Sequence, residues 1–334
     1  MRWHIALLAA LFTAGLFGCR NDASSLRQLQ SAVRSDPGSV EARVALGDAY
    51  YEAGDLHDSF IQFSTAHSIA PDSYPVLYGL ARAQEALGDS DAALERATEA
   101  VELNPEGVEA LNLQARLLLA DEPGRAAAIL ERALKFEPTN EEALKQLSIA
   151  YLRDERIEAA NAAAKRAAES LPQSAEAQMN LALVKVAQNQ SAEAERLLRK
   201  AMELEPSNAE APLRLAELFV RDGRKLEEAV ELADKSSQLD PGDGNPEVLA
   251  AIALRRLDRN EEAVRRLHTA ATAYPRNIRL WLMLSSAYGD LGDEEAAAQA
   301  ATMAYRFAPR RAVRDREDPG PLGIDWEDEA SVPQ

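Results

Sequence analysis

The sequence predicts an all-α protein built as a solenoid, in which one pair of helices recurs along the chain. The first observation is a period. Nine prolines follow one another at spacings of 33 to 35 residues, namely Pro37, Pro71, Pro105, Pro138, Pro172, Pro206, Pro241, Pro275 and Pro309. A fixed period of this size is typical of repeat architectures, in which each repeat packs mainly on its neighbours.

The second observation is that small residues occupy three fixed places in each period. With repeats beginning near residues 40, 74, 108, 141, 175, 209, 244 and 278, all 24 such places hold Gly, Ala or Ser. The eighth residues of the repeats are Gly47, Ala81, Ala115, Ser148, Ala182, Ala216, Ala251 and Ser285. The first small residues of the predicted second helices are Ser59, Ala93, Ala126, Ala160, Ala194, Ala229, Ala263 and Ala297. The second small residues of those helices are Ala66, Ala100, Ala133, Ala167, Ala201, Ser236, Ala270 and Ala304. Because antiparallel helices approach closely only where the crossing side chains are small, each period predicts a helix pair.

The residues within the period resemble the tetratricopeptide repeat family from residue 40 to residue 309. In the first repeat the matching residues are Leu46, Gly47, Tyr50, Ser59, Phe63 and Pro71. The resemblance implies a right-handed superhelical solenoid of about eight helix-turn-helix repeats that binds protein or peptide segments. Upstream, "SSLRQLQSAVRSDP" keeps the second-helix pattern and predicts an N-terminal half-repeat that covers the open end, so the solenoid is predicted over residues 24–309.

Residues 1–18 have the pattern of a signal peptide. Arg2 is followed by an apolar stretch from Ile5 to Phe17, which is too short to span a bilayer. The stretch from Leu16 to Cys19 resembles the lipobox of bacterial lipoproteins, which implies that Cys19 becomes the lipidated first residue of the mature chain, joined by residues 19–23 to the solenoid. The alternative is an ordinary thiol in a short membrane anchor. The residue after Cys19 is Arg20 and not Asp, a pattern that resembles lipoproteins sent to the outer membrane. The resemblance implies an outer-membrane location facing the periplasm.

Composition and motifs predict a protein without catalytic activity. The net charge of −18 argues against nucleic-acid binding, and the single cysteine excludes an intramolecular disulfide. The sequence has no Walker loop, nucleophile elbow or zinc-protease motif, and His57, His67 and His268 lack metal-ligand spacing. We therefore expect no cofactor, no metal and no small-molecule substrate.

Residues 310–334 are expected to form a disordered acidic tail. Within it, "GIDWEDE" places Trp326 among acidic residues. Trp326 is either part of a docking motif or a stray aromatic residue.

The family resemblance also implies where partners bind. First helices line the concave face, and the second, fifth, ninth, twelfth and thirteenth residues of each repeat point inward. In the N-terminal half these are mostly polar, with Tyr51 and Tyr78 among Glu41, Asp48, Glu52, Arg82, Glu85, Asn112 and Arg116. From the fourth repeat onward they form an apolar strip of Ile149, Leu152, Met179, Leu183, Val186, Leu213, Val220, Val248, Ile252 and Leu282, edged by Lys145, Arg153, Arg221, Arg255, Arg256 and Arg279.

Two interpretations of the strip remain open. If it is exposed, it marks a groove for a partner that carries acidic residues beside apolar anchors. If neighbouring first helices cover it, the strip belongs to the core.

The sequence thus predicts a lipid-anchored, periplasm-facing scaffold that binds protein partners during cell-envelope or surface-structure assembly, as pilotins, exopolysaccharide or secretion scaffolds and peptidoglycan-enzyme adaptors do. The alternatives are a soluble cytoplasmic co-chaperone, which requires that residues 1–18 are not a signal peptide, and a non-catalytic subunit of an enzyme complex.

Overall fold

A computed structural model describes residues 23–242 and 244–307. Over these residues the chain forms 17 α-helices and no strand. The chain divides into two compact units, one ending at Pro138 and the other beginning at Thr139. The leader, Cys19 and the acidic tail lie outside the described residues.

Unit 1 holds the half-repeat and the first three repeats. Its helices are α1 (Ala23–Ser35), α2 (Val40–Ala53), α3 (Leu56–Ile69), α4 (Tyr74–Ala86), α5 (Ser90–Leu103), α6 (Val108–Leu118) and α7 (Pro123–Phe136). Unit 2 holds the remaining five repeats. Its helices are α8 (Glu141–Arg153), α9 (Ile157–Ser170), α10 (Ala175–Ala187), α11 (Ser191–Leu204), α12 (Glu210–Asp222), α13 (Leu226–Leu239), α14 (Asn245–Arg256), α15 (Asn260–Ala273), α16 (Ile278–Asp290) and α17 (Glu294–Phe307).

Each repeat is an antiparallel pair of helices joined by a turn of two to four residues, and within each unit the second helix packs on the first helix of the next repeat. First helices of neighbouring repeats also contact one another directly, as α2 and α4 do in unit 1, and α8 and α10, α12 and α14, and α14 and α16 do in unit 2. The all-α repeat fold predicted from the period is confirmed within each unit.

The turn inside the repeat has its own regularity. Over the described residues, the fifteenth residue has a positive φ in every repeat but the third; these residues are Gly54, Gly88, Glu155, Asn189, Gly223, Asp258 and Gly292. A left-handed residue after a helix ends it and redirects the chain. The third repeat, one residue shorter, makes its turn without one.

The predicted small positions lie at the helix crossings. Of the 24, all are buried except Ser285 and Ala297 of the last repeat, which are half-buried. Two of the serines at these positions satisfy their hydroxyls across the crossing: Ser59 donates to the Gly47 carbonyl at 2.8 Å, and Ser285 donates to the Ala297 carbonyl at 2.9 Å. These serines therefore keep the close approach without leaving a buried hydroxyl unpaired.

Phe63 is the central side chain of the first crossing in unit 1. Its ring is 1% exposed and lies between Gly47 of α2 and Gly79 of α4. A Cβ at Gly47 would lie 2.9 Å from the ring, and a Cβ at Gly79 would overlap it. In unit 2, Phe219, Leu215 and Leu254 are fully buried. Over the described residues, no helix has the length and apolar character needed to cross a membrane.

Candidate protein-binding face

Side chains of neighbouring first helices meet on one surface of each unit. In unit 1, Arg82 pairs with Asp48 at 3.4 Å, and Arg116 holds both carboxylate oxygens of Glu85 at 2.7 and 2.6 Å. In unit 2, Lys145 of α8 pairs with Glu176 of α10 at 2.8 Å, and Arg255 of α14 pairs with Asp290 of α16 at 2.7 Å. All of these residues stand at repeat positions that the sequence predicts to point inward. We call this surface the inner face of each unit.

The inner face of unit 1 is aromatic and charged. The Arg82 guanidinium lies 4.1 Å from the centre of the Tyr51 ring and 5.4 Å from that of Tyr78, distances at which a cation is attracted to a ring. The Tyr74 and Tyr78 rings stack with centres 6.1 Å apart. These side chains are half-buried, so they hold one another in place while keeping contact area for a partner.

Ionisation of this face is suppressed by burial. Burial, together with the Glu109 carboxylate, raises the pKa of Tyr74 to about 12, and burial raises the pKa of Tyr78 in the same direction. Burial also raises the pKa of Asp48, which the nearby Arg82 partly offsets. The shifts move both tyrosines further from ionisation at neutral pH, and the Tyr74 hydroxyl donates to the Glu109 carboxylate at 3.5 Å.

The apolar strip predicted for unit 2 is only partly exposed. Five members belong to the core: Met179 and Val186 are 8% and 6% exposed, and Val220, Val248 and Ile252 are 0%, 1% and 0% exposed. The reason is packing between first helices, since α10 contacts α12, α12 contacts α14, and α14 contacts α16. The prediction that these five line an open groove is wrong, and the interpretation in which neighbouring helices cover the strip holds for them.

Four members remain partly accessible and form what we call the apolar patch: Ile149, Leu152, Leu183 and Leu213, all half-buried. Ile149 and Leu183 are the ninth residues of adjacent repeats. The ninth residues of the first two repeats, Asp48 and Arg82, touch each other, so this position brings neighbouring repeats together. Leu282, further along unit 2, is 40% exposed.

Carboxylates of the chain itself pair with three of the six residues of the predicted basic edge. The pairs are Lys145 with Glu176, Arg221 with Asp222, and Arg255 with Asp290. Although burial lowers the pKa of Lys145, the hydrogen bond and charge of Glu176 outweigh it, and the net direction is upward. These three cations are therefore largely neutralised within the fold.

The other three edge residues differ from one another. Arg256 donates to the Val220 carbonyl of the preceding repeat, and Arg279 acts electrostatically on the buried carboxylate of Glu217. Arg153 is exposed and has no ion-pair partner among the described residues. Arg153 is thus the edge cation best placed to meet a partner's acidic group beside the apolar patch.

A charged cluster at the turn of the sixth repeat was not predicted. Glu195 of α11 accepts hydrogen bonds from Arg199, Arg224 and Lys225 at 2.6 to 3.1 Å. Burial raises the pKa of Glu195, but these bonds outweigh it and lower the pKa to about 2. Arg224 and Lys225 lie in the segment that carries the extra residue of this repeat, and only the fold brings them to Glu195.

The structure gives no sign of a metal centre in the part of the chain it describes, where no three His, Cys, Asp or Glu side chains are placed to hold an ion.

The chain belongs to the tetratricopeptide repeat family. One model of that repeat matches residues 23–74, 78–143 and 248–312, and a second matches residues 185–254. No curated protein matches the sequence.

Solved structures share the fold at low sequence identity. A tetratricopeptide repeat protein from Parabacteroides merdae is 18% identical with a TM-score of 0.60, over 80% of this chain and 98% of that chain. A chain of the APC/C hetero-tetramer Cut9–Hcn1 is 16% identical with a TM-score of 0.60, over 70% of this chain but only 46% of that chain. PilF of Pseudomonas aeruginosa is 18% identical with a TM-score of 0.51, over 68% of this chain and 97% of that chain.

Proposed function

We propose that this tetratricopeptide repeat protein is a lipid-anchored, non-catalytic scaffold that faces the periplasm and binds protein partners during cell-envelope or surface-structure assembly. The anchor rests on the lipobox-like stretch ending at Cys19, outside the described residues. Partner binding rests on the repeat fold, which also occurs in a chain of a hetero-tetrameric assembly.

The apolar patch is the observation that supports a partner-binding site on unit 2. Ile149, Leu152, Leu183 and Leu213 keep part of their surface in contact with water, while five other members of the strip are buried. Covering apolar surface is favourable by about 25 cal/mol per Å². A partner that covers the patch gains this free energy without displacing any helix of unit 2.

The chemistry of the patch selects the partner. Apolar anchors at intervals along an amphipathic helix or extended segment fit a row of leucine and isoleucine side chains. An acidic residue beside those anchors would reach Arg153, the exposed cation at the patch edge. Since three of the other five edge cations are paired with carboxylates of the chain itself, we expect apolar contacts to supply most of the affinity.

The test is a double substitution on the patch, Leu183→Asp with Leu213→Asp. Both side chains are half-buried, so the change places charge on the surface that a partner would cover. Captured partners from detergent-solubilised envelope, quantified by mass spectrometry, should fall about tenfold or more, which corresponds to ~1.4 kcal/mol of lost binding free energy.

The matched control is Leu239→Asp, which introduces the same charge at a leucine of α13 that is 39% exposed and away from the inner face. Circular dichroism must show that all variants are folded. If the folded double variant retains every partner that the control retains, the apolar patch is not the binding site. Ile252→Asp is unsuitable, because that fully buried side chain supports the core.

A further inference from the structure

Unit 2 contains a cleft at the edge where α14 and α16 begin. It has a volume of about 750 Å³ and is lined chiefly by Asn245, Tyr274, Pro275, Arg276, Ile278 and Arg279. Two hydrogen bonds stabilise its walls. The Tyr274 hydroxyl donates to the Pro241 carbonyl at 2.7 Å, and the Trp281 indole N–H donates to the Pro275 carbonyl at 2.9 Å. The cleft is therefore formed before anything enters it.

The cleft is cationic in a strongly acidic chain. None of the described residues that line it is acidic, whereas the whole chain carries a net charge of −18. Arg276 is exposed and makes no ion pair with a described residue. Arg279 adds a second guanidinium, which also acts electrostatically on the Glu217 carboxylate. Tyr274, Pro275 and Ile278 supply apolar surface beside these cations. Such a lining fits an occupant with carboxylates next to an aromatic or aliphatic side chain.

The end of α17 lies on the same side of the repeat as this cleft. Helices α16 and α17 form an antiparallel pair joined by a three-residue turn, so the end of α17 at Phe307 lies beside the start of α16 at Ile278. The described chain therefore ends at this edge. The 17 residue-to-residue steps from Phe307 to Ile324 span up to about 58 Å when extended, against roughly 20 Å for either helix.

That following chain contains a segment of matching chemistry. The segment "GIDWEDE", residues 323–329, holds the apolar side chains of Ile324 and Trp326 among the acids Asp325, Glu327, Asp328 and Glu329. We propose that this segment docks in the cleft of its own chain, with Trp326 against the apolar wall and its carboxylates on Arg276 and Arg279. A short tether gives such a segment an effective concentration in the millimolar range, so weak contacts suffice for occupancy. A partner with the same acidic and aromatic chemistry would have to displace it.

Hydrogen–deuterium exchange of the mature full-length chain tests this proposal. We expect amides of residues 322–329 to exchange about tenfold more slowly than in an unstructured peptide, which corresponds to ~1.4 kcal/mol of docking free energy. Arg276→Glu should abolish that protection, and Trp326→Ala should speed exchange in residues 274–280. The control is Arg196→Glu, a charge reversal on α11 whose side chain is 67% exposed and lies outside the cleft.

Three results would overturn the proposal. The first is exchange of residues 322–329 at the unstructured rate in the parent chain. The second is protection that survives Arg276→Glu. The third is protection that fades on dilution, because it would assign the cleft to the tail of a second copy. Arg276 is exposed, so the variant is expected to fold, and unchanged exchange in α12 and α13 would verify this.

Discussion

At the scale of single residues, the fold depends on a few positions where a Cβ cannot be accommodated. Gly79 is one of them, although it lies within α4, where glycine lowers helix stability relative to alanine. The Phe63 ring occupies the space that a side chain at Gly79 would need. The cost of a helical glycine is thus offset by the burial of a complete aromatic ring against the helix backbone.

Gly79→Ala should therefore destabilise unit 1 by about 1–3 kcal/mol, since an overpacked crossing must shift either helix or ring. Gly289→Ala is the matched comparison, because this glycine is also helical and a Cβ added to it would have no neighbouring atom within 4 Å. There, alanine should raise stability by roughly 0.5–1 kcal/mol. Urea denaturation of both variants measures the effect. Equal shifts of the two midpoints would contradict the assigned role of Phe63.

At the scale of the helix pair, small residues set the distance between helices and the left-handed residue sets the turn. Ala160, Ala164 and Ala167 of α9 are all fully buried at helix crossings, whereas Ala162 of the same helix is exposed. Composition alone does not separate these alanines. Their place in the 34-residue period does, because the period follows the packing of one helix on the next.

The same substitution at two alanines of α9 tests this assignment. Ala167→Leu should cost about 1–3 kcal/mol, because three added carbon atoms must enter a filled crossing. Ala162→Leu should change stability by less than about 0.5 kcal/mol, as expected for an exposed helical position. Thermal unfolding followed by circular dichroism compares the two. A larger effect at Ala162 would show that the repeat register is misassigned.

At the scale of the whole molecule, the proposed function joins a partner-binding repeat array to a membrane. Tetratricopeptide repeats account for most of the described chain, and over those residues no helix can cross a bilayer. In the proposed function, attachment is through Cys19, by lipidation of the kind its flanking residues resemble. Two or more acyl chains hold a protein stably at a membrane, whereas one does so only weakly.

Cys19→Ala should abolish lipid attachment and move the protein out of the membrane fraction, or leave it with its leader uncleaved. Intact-mass analysis of the parent should show a chain that begins at Cys19 and carries the added lipid mass. Ser35→Ala, an exposed change beyond the leader, should alter neither property. An unmodified Cys19, or a mature chain beginning elsewhere, would contradict the proposed anchor.

The sequence by itself determined the repeat, because close helix packing recurs with the chain and leaves a small residue at each crossing. It also indicated which repeat positions face the inner surface, although it predicted none of the ion pairs that form there. Only the tertiary structure decided which inner positions remain accessible. Ile149 and Ile252 are the same residue at the same ninth position, yet Ile149 is half-buried and Ile252 is fully buried. Ile252 lies on α14, which contacts the first helices α12 and α16 on either side, whereas Ile149 lies on α8, which within unit 2 has only α10 as such a neighbour. Burial at this position therefore depends on the neighbouring helices and not on the isoleucine itself.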